Sequence, residues 1–232
     1  MTTGPCPGPQ QGDPAAPHQT LDRDASMLNR IKSTLGLLKI SPHMSPDEVE
    51  FFHSCLSGVS KYFEFGTGGS TIAAFDYFMK NKVDFEIHGV DSDPKWINTI
   101  TKQCHHDRRI NLYHSDIGPL EEWGWPVDKI PNHITWTDYP TSISRNAHSS
   151  DFDLVLIDGR FRVACLIQTL LTCPQTTRIL IHDYAGRPEY HIIESWCDII
   201  ASRDQLSLFS IQNQLSTEDL IINFEQFWRD PR

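Results

Sequence analysis

Three features are scarce in this sequence, and each absence excludes a class of protein. No apolar run approaches the roughly 20 residues of a membrane-spanning helix, and no apolar leader follows a charged start. Basic residues are few, because 20 Lys and Arg against 30 Asp and Glu give a formal net charge of −10. Nucleic-acid binding requires a basic surface. We therefore expect a cytoplasmic protein without a membrane or nucleic-acid partner.

Cysteines are also few and irregularly placed, and no two of them form a C-x-x-C pair. Zinc sites and disulfide frameworks need closer or more regular spacing. Most of these cysteines fall on apolar helical faces, where a free thiol packs as a small hydrophobic group. The pattern favours a reducing compartment. The six positions are Cys6, Cys55, Cys104, Cys165, Cys173 and Cys197.

The length and the apolar content indicate one globular domain with an N-terminal extension. The chain has 232 residues, 39% of them hydrophobic, which is enough to build a sizeable core. Residues 1–22 are rich in Pro, Gly and Gln and predict a disordered tail. Residues 23–58 predict two helices, the second starting at Ser45 and Pro46. Residues 59–232 form the predicted main domain.

Within the main domain, short apolar strands alternate with helical periodicity. This alternation predicts a Rossmann-like, doubly wound sheet of seven strands with helices on both faces. The last two strands, "LSLFSIQ" and "DLIINFEQF", predict a C-terminal antiparallel hairpin. The other predicted strands cover residues 61–65, 85–91, 110–116, 152–158 and 178–183. The predicted helices cover residues 70–80, 94–104, 161–172 and 188–202.

Residues 117–150 interrupt the alternation with an irregular segment rich in aromatic residues and proline. Connections of this length are often lids or binding loops. The alternative is an irregular excursion whose aromatic side chains, including Trp123, Trp125, Trp136 and Tyr139, simply pack on the domain. The sequence leaves both open.

An acidic residue lies at or near the end of each predicted parallel strand. The carboxyl ends of such strands form one edge of the sheet, where ligands bind in open α/β folds. A turn or cap explains any single Asp, but five acids on one edge would oppose folding unless ligands or metals offset their charge. These acids are Glu64, Asp91, Asp116, Asp158 and Asp183.

A glycine-rich loop, "EFGTGGS", follows the first strand. A dinucleotide-binding G-x-G-x-x-G pattern fits poorly, because its third glycine falls on Thr71. The loop, the spaced acids and the hairpin together resemble class I S-adenosylmethionine-dependent methyltransferases over residues 60–227, with Ser70 in place of the last glycine of E-x-G-x-G-x-G. The resemblance implies S-adenosylmethionine as cofactor, Asp91 on the ribose hydroxyls, Asp116 near the adenine amine and Glu64 near the methionine amino group. The implied cofactor loop consists of Gly66, Thr67, Gly68, Gly69 and Ser70.

The segments "LIDGRFRVACLI" and "ILIHDYAGR" resemble motifs of metal-dependent sugar O-methyltransferases and, more distantly, of catechol-type enzymes. The resemblance implies O-methylation of a small molecule, with Asp158, His182 and Asp183 activating the acceptor hydroxyl. It also implies a divalent metal on Asp158 and Asp183. His182 replaces the first acid of the usual pair, which favours softer metals or a general base; alternatively, it points back into the sheet.

Three arginines, Arg160, Arg162 and Arg187, flank the same edge. They are predicted either to bind an anionic acceptor or, the favoured reading, to pair with the acids. Two other function classes stay open: a binding or scaffold protein that performs no chemistry, and another nucleotide-using enzyme such as a dehydrogenase.

Overall fold

The computed structural model describes residues 39–127, 130–145 and 151–232. The predicted tail and the first predicted helix lie outside these ranges, so both stay predictions. The second predicted helix is present, starting at Pro46 after the N-cap residue Ser45. Within the described ranges, no helix is both long and apolar enough to cross a membrane.

In the described residues, seven strands form one sheet in the order β3-β2-β1-β4-β5-β7-β6. The first five strands pair in parallel, while β7 runs antiparallel to both β5 and β6. The predicted fold class is confirmed. The strands are β1 (Lys61–Phe65), β2 (Glu86–Asp91), β3 (Ile110–His114), β4 (Leu154–Ile157), β5 (Arg178–Ile181), β6 (Cys197–Arg203) and β7 (Leu206–Ile211).

Helices cover both faces of the sheet because side chains alternate along each strand. On β1, Phe63 and Phe65 face one core cluster, while Tyr62 faces the other. The first cluster packs against α5, α6 and α7, and the second against α1, α2 and α3. The described helices are α1 (Pro46–Cys55), α2 (Gly69–Asn81), α3 (Pro94–Gln103), α4 (His133–Trp136), α5 (Asp138–Arg145), α6 (Arg162–Thr172) and α7 (Thr217–Phe227).

The predicted helix over residues 188–202 is wrong. A 3₁₀ helix covers Pro188–Ser195, and the chain then enters the edge strand β6. Ile199 and Ile200 are about half exposed there, so no buried face gives this strand a clean alternating pattern. The hairpin exists, but β6 and β7 form it.

The predicted strand "DLIINFEQF" is also wrong, because these residues lie in α7. Leu220, Phe224 and Phe227 recur at helical spacing and pack against one core cluster. Ser216 accepts a hydrogen bond from the Asp219 amide and so caps the helix. A short apolar run fits both the strand period and the helix period. The N-cap residue Ser216 was the sequence signal for a helix that the strand prediction missed.

The irregular segment 117–150 has two different parts. Trp136, at the end of α4, and Tyr139, in α5, are almost fully buried and belong to the core. Trp123 is 55% exposed in a short 3₁₀ turn, and Trp125 is partly exposed. Trp136 and Tyr139 therefore pack in the core, whereas Trp123 and Trp125 lie nearer the surface, Trp123 beside the His43 ring and Trp125 against Arg160.

The five cysteines within the described ranges are free thiols. Cys55, Cys104, Cys165 and Cys197 are buried in the two core clusters. This agrees with the packing role predicted for them.

Candidate active site

The carboxyl ends of the parallel strands carry two groups of polar residues. We call the first the β1–β2 rim; it consists of Glu64 in β1, the glycine loop that follows and Asp91 at the end of β2. We call the second the β4–β5 rim; it consists of Asp158, Arg162, His182 and Asp183. Both belong to the sheet edge at which open α/β folds bind ligands.

The three loop glycines have different structural reasons. Gly66 has φ +90°, and a Cβ there would lie 2.5 Å from the Gly159 Cα. A Cβ on Gly69 would lie 2.1 Å from the Ser41 carbonyl carbon. Around Gly68, by contrast, a Cβ would meet no described atom within 4 Å apart from those of the adjoining chain. Close approach of the chain itself thus explains two of the glycines, and Gly68 is the one beside open space.

Glu64 lies beneath the loop and has no exposed surface. Its carboxylate accepts hydrogen bonds from the Ser70 hydroxyl and, at 2.8 Å, from the Thr71 hydroxyl. Burial raises the pKa of Glu64 to about 8, although these hydrogen bonds oppose the shift. Glu64 and Ser70 therefore tie the loop to β1 from inside, and direct contact between Glu64 and a ligand would require their hydrogen bonds to rearrange.

Asp91 is partly exposed at the end of β2. It accepts hydrogen bonds from the Asp93 amide at 3.0 Å and from the Thr67 hydroxyl at 3.4 Å. Burial raises the pKa of Asp91 to about 6. The Trp96 indole N–H donates to the Thr67 carbonyl at 2.7 Å and fixes that loop residue.

Asp116, the third predicted acid, is exposed beyond β3. Its carboxylate accepts a hydrogen bond from the Gly118 amide at 3.0 Å, which forms an Asx turn. The structure thus gives Asp116 a local role in the turn, and the adenine contact stays a prediction.

On the β4–β5 rim, the buried Arg162 links the two predicted metal ligands. One of its terminal nitrogens, Nη2, lies 3.2 Å from the Asp158 carboxylate and 3.1 Å from the Asp183 carboxylate. Arg187 also binds Asp183, at 2.7 Å. The expected pairing of arginines with rim acids is therefore confirmed for Arg162 and Arg187.

His182 points towards the rim acids, so its predicted alternative orientation into the sheet is wrong. Its Nδ1 lies 3.1 Å from Asp158, and its Nε2 lies 3.6 Å from the buried Glu48. Burial alone would lower the pKa of His182, but the hydrogen bond to Asp158 and the neighbouring carboxylates raise it. The same hydrogen bond and the charge of Arg162 hold the pKa of Asp158 below its ordinary value, although burial opposes this.

Glu48 was missed as part of this site. The Ser45-x-x-Glu48 pattern predicts a capping box, and both of its hydrogen bonds are present. The other Glu48 oxygen accepts from the Gln205 amide at 2.8 Å and faces His182. That second contact joins α1 to the β4–β5 rim and has no local sequence signal.

The metal hypothesis can be tested against the donor groups. Asp158, His182 and Asp183 offer ligand atoms within 4.8 Å of one another. The Arg162 guanidinium, however, already binds the two carboxylate oxygens between which a cation would lie. A divalent ion there would face the guanidinium charge, and His182 would have to lose its proton. The residues as arranged do not fit a metal.

Comparisons with known proteins agree with this geometry at the level of fold. Neither a family model nor a curated protein matches the sequence. A methyltransferase-like protein from Silicibacter pomeroyi superposes with a TM-score of 0.72 at 24% identity, over 83% of this chain and 99% of that chain. Methyltransferase PaMTH1 from Podospora anserina, solved with S-adenosylhomocysteine, superposes with a TM-score of 0.51 at 13% identity, over 88% and 100%.

An O-methyltransferase candidate from Klebsiella pneumoniae superposes with a TM-score of 0.53 at 16% identity, over 86% of this chain and 91% of that chain. The described chain thus shares the fold of these methyltransferase structures.

Proposed function

We propose that the protein is an S-adenosylmethionine-dependent methyltransferase that methylates a hydroxyl group of a small molecule. The observation that carries the proposal is the β1–β2 rim, where Asp91 lies partly exposed at the end of β2. Its protein partners are a hydroxyl and a backbone amide, both neutral. The motif resemblance implies that two ribose hydroxyls, which are also neutral, donate further hydrogen bonds to this carboxylate.

The rest of the β1–β2 rim suits the same cofactor. Gly68 lies beside open space, and the Thr67 backbone is held by Trp96. Glu64 and Ser70 are assigned to holding the loop rather than to contacting the methionine part. One structure with this fold, PaMTH1, has been solved with S-adenosylhomocysteine, which supports the choice of cofactor over a dinucleotide.

On the β4–β5 rim, Asp158 is assigned the acceptor hydroxyl. Methyl transfer forms a bond from the acceptor oxygen to the methyl carbon as the bond to the cofactor sulfur breaks. The attacking hydroxyl becomes strongly acidic as this bond forms, so even a carboxylate with a lowered pKa can take its proton. Positioning of the two reactants then provides most of the acceleration.

His182 is assigned a positioning role instead of that of the base. Carboxylates face both of its ring nitrogens, so neither nitrogen is directed at an acceptor. With Arg162, it fixes the Asp158 carboxylate and balances the negative charge of the rim. Asp183 is held by Arg162 and Arg187 and completes the same network.

The same network favours a second candidate, a protein that binds the cofactor without transferring its methyl group. Asp158 is engaged by Arg162 and His182, and its pKa is lowered. A carboxylate in that state is a weak base. Turnover separates the two candidates, since both predict cofactor binding.

Calorimetric titration with S-adenosylhomocysteine, S-adenosylmethionine and NAD tests the cofactor. We expect the first two to bind and NAD not to bind. Formation of S-adenosylhomocysteine is then measured over a panel of phenols, sugars and hydroxy acids. Binding of NAD alone would contradict the proposal, and cofactor binding without turnover on any acceptor would favour the second candidate.

A further inference from the structure

Arg160 differs from the other two arginines of this region because two of its nitrogens have no hydrogen-bond acceptor among the described residues. Its side chain is buried, with 7% of the residue exposed. Nε and Nη1 are buried and form no hydrogen bond with any described residue. Arg162 and Arg187, in contrast, are held by Asp158 and Asp183.

An unpartnered buried guanidinium is costly, because its N–H groups have lost water without gaining an acceptor. Burial and the neighbouring charge of Arg162 lower the pKa of Arg160, which reflects the same cost. The chain has more acids than bases overall, yet the carboxylate nearest in sequence, Asp158, is engaged by Arg162 and His182. A ligand oxyanion would satisfy these donors.

Trp125 determines the direction from which such an oxyanion binds. Its ring lies on the guanidinium, with the Arg160 Cζ 4.4 Å from the ring centroid. A covered face leaves the in-plane edges, where Nε and Nη1 project their hydrogens. Carboxylate and phosphate oxygens bind arginine in this plane. Trp125 itself is partly exposed, so the stack lies near the surface.

From this geometry we infer that Arg160, stacked on Trp125, binds an oxyanion of the methyl acceptor, either a carboxylate or a phosphate. The inference rests on the proposed function and names its substrate class. Arg160 follows Asp158 by two residues at the end of β4. One small molecule can therefore place its oxyanion on Arg160 and its hydroxyl at Asp158.

The experiment compares acceptors that differ only in the anionic group. One pair is 3-hydroxybenzoate and 3-hydroxybenzyl alcohol, and the other is glucose 6-phosphate and glucose. Binding to the protein saturated with S-adenosylhomocysteine is measured by calorimetry and thermal melts at constant ionic strength. We expect the anion of at least one pair to bind about tenfold or more tightly than its neutral partner. The pair that responds distinguishes carboxylate from phosphate.

Three variants assign that preference to Arg160. Arg160→Met is expected to abolish it, and Arg160→Lys to weaken carboxylate binding because the planar fork is lost. Affinity for S-adenosylhomocysteine should stay within about twofold in both. The matched control is Arg178→Met. Arg178 lies at the start of β5 and donates a hydrogen bond to the Cys55 carbonyl, so this variant should keep the preference for the anion.

The outcomes separate this inference from the proposed function. If the wild type does not bind S-adenosylhomocysteine, the proposed function fails and the inference fails with it. If the cofactor product binds but neither anion is preferred, only the inference is overturned. An anion preference that persists in Arg160→Met also overturns it. Should Arg160→Met not fold, Arg160→Gln takes its place, and an anion preference that persists there decides against the inference.

Discussion

Acidic residues on the two rims of the sheet edge have pKa values shifted in opposite directions. On the β1–β2 rim, burial raises the pKa of Glu64 to about 8 and that of Asp91 to about 6. On the β4–β5 rim, the pKa of Asp158 is lowered despite burial. The difference lies in the partners, which are hydroxyl and amide groups on the first rim and Arg162 and His182 on the second.

Groups of the chain itself accommodate the strand-end acids Glu64, Asp158 and Asp183. Repulsion between Asp158 and Asp183 is removed by a buried guanidinium, which the chain supplies itself. Glu64 avoids the problem by favouring its protonated form at neutral pH. Clustered acids at a ligand-binding edge are therefore weak evidence for a cation.

The largest expected effect comes from removing the arginine that links the two acids of the β4–β5 rim. Arg162→Met leaves two carboxylates without their shared partner, and we expect the free energy of unfolding to fall by about 3–5 kcal/mol. Arg187→Met is the control, because it removes a partly exposed partner of Asp183 and should cost about 1 kcal/mol or less. Denaturant unfolding of both variants measures the difference.

Metal melts sharpen the same test. The wild type should be indifferent to Mg²⁺ and Mn²⁺, since Arg162 occupies the position between the carboxylates. If either ion stabilises the wild type but not Asp158→Asn, this assignment of Arg162 is wrong and the metal-dependent hypothesis holds.

The next effect concerns the glycine loop. Gly66→Ala places a side chain at φ +90° and against the Gly159 backbone, and we expect a loss of about 2–4 kcal/mol in stability. Gly68→Ala is the matched control, because its Cβ has open space and its φ of −177° suits any residue. Thermal melts should separate the two; equal losses would contradict the packing reason given for Gly66.

On the β1–β2 rim, the ribose assignment of Asp91 is tested by measuring cofactor binding. Asp91→Ala should weaken binding of S-adenosylhomocysteine by about 2–4 kcal/mol, because two hydrogen bonds to a carboxylate are lost. Asp116→Ala removes an exposed acid and should weaken binding by no more than about 1 kcal/mol. Calorimetry measures both, and equal affinity of wild type and Asp91→Ala would show that the ribose assignment is wrong.

The last effect is a pH dependence, which is spread over several pH units. The folded Glu64 holds its proton up to about pH 8, while the unfolded chain releases it near pH 4.3. Its contribution to stability is thus complete below that lower pH and is lost as pH rises towards 8. Its slope reaches at most about 1.4 kcal/mol per pH unit.

Glu64→Gln removes this titration, so its stability should fall less steeply between pH 5 and 8 than that of the wild type. The control is Glu50→Gln, since Glu50 is exposed on α1 and should leave the slope unchanged. Denaturant unfolding across this pH range provides the comparison, and parallel slopes for wild type and Glu64→Gln would disprove the raised pKa.

The sequence by itself determined the five parallel strands, the helices α2, α3 and α6 and the edge at which the acids meet. These features follow from local periodicity and from caps such as Ser45 and Asp93, which need no distant partner. It failed at the C-terminus, where β6 is a half-exposed edge strand and α7 carries a short apolar run. There the local pattern fits either period.

Only the tertiary structure decided the state of each charged group. Glu64 and Asp158 both follow apolar strand residues, yet one lies among hydroxyls and the other beside Arg162 and His182. Desolvation and Coulomb interaction depend on distances between residues far apart in the chain, such as His182 and Glu48. Such distances arise when α1, β4 and β5 pack together, and no local pattern of residues encodes them.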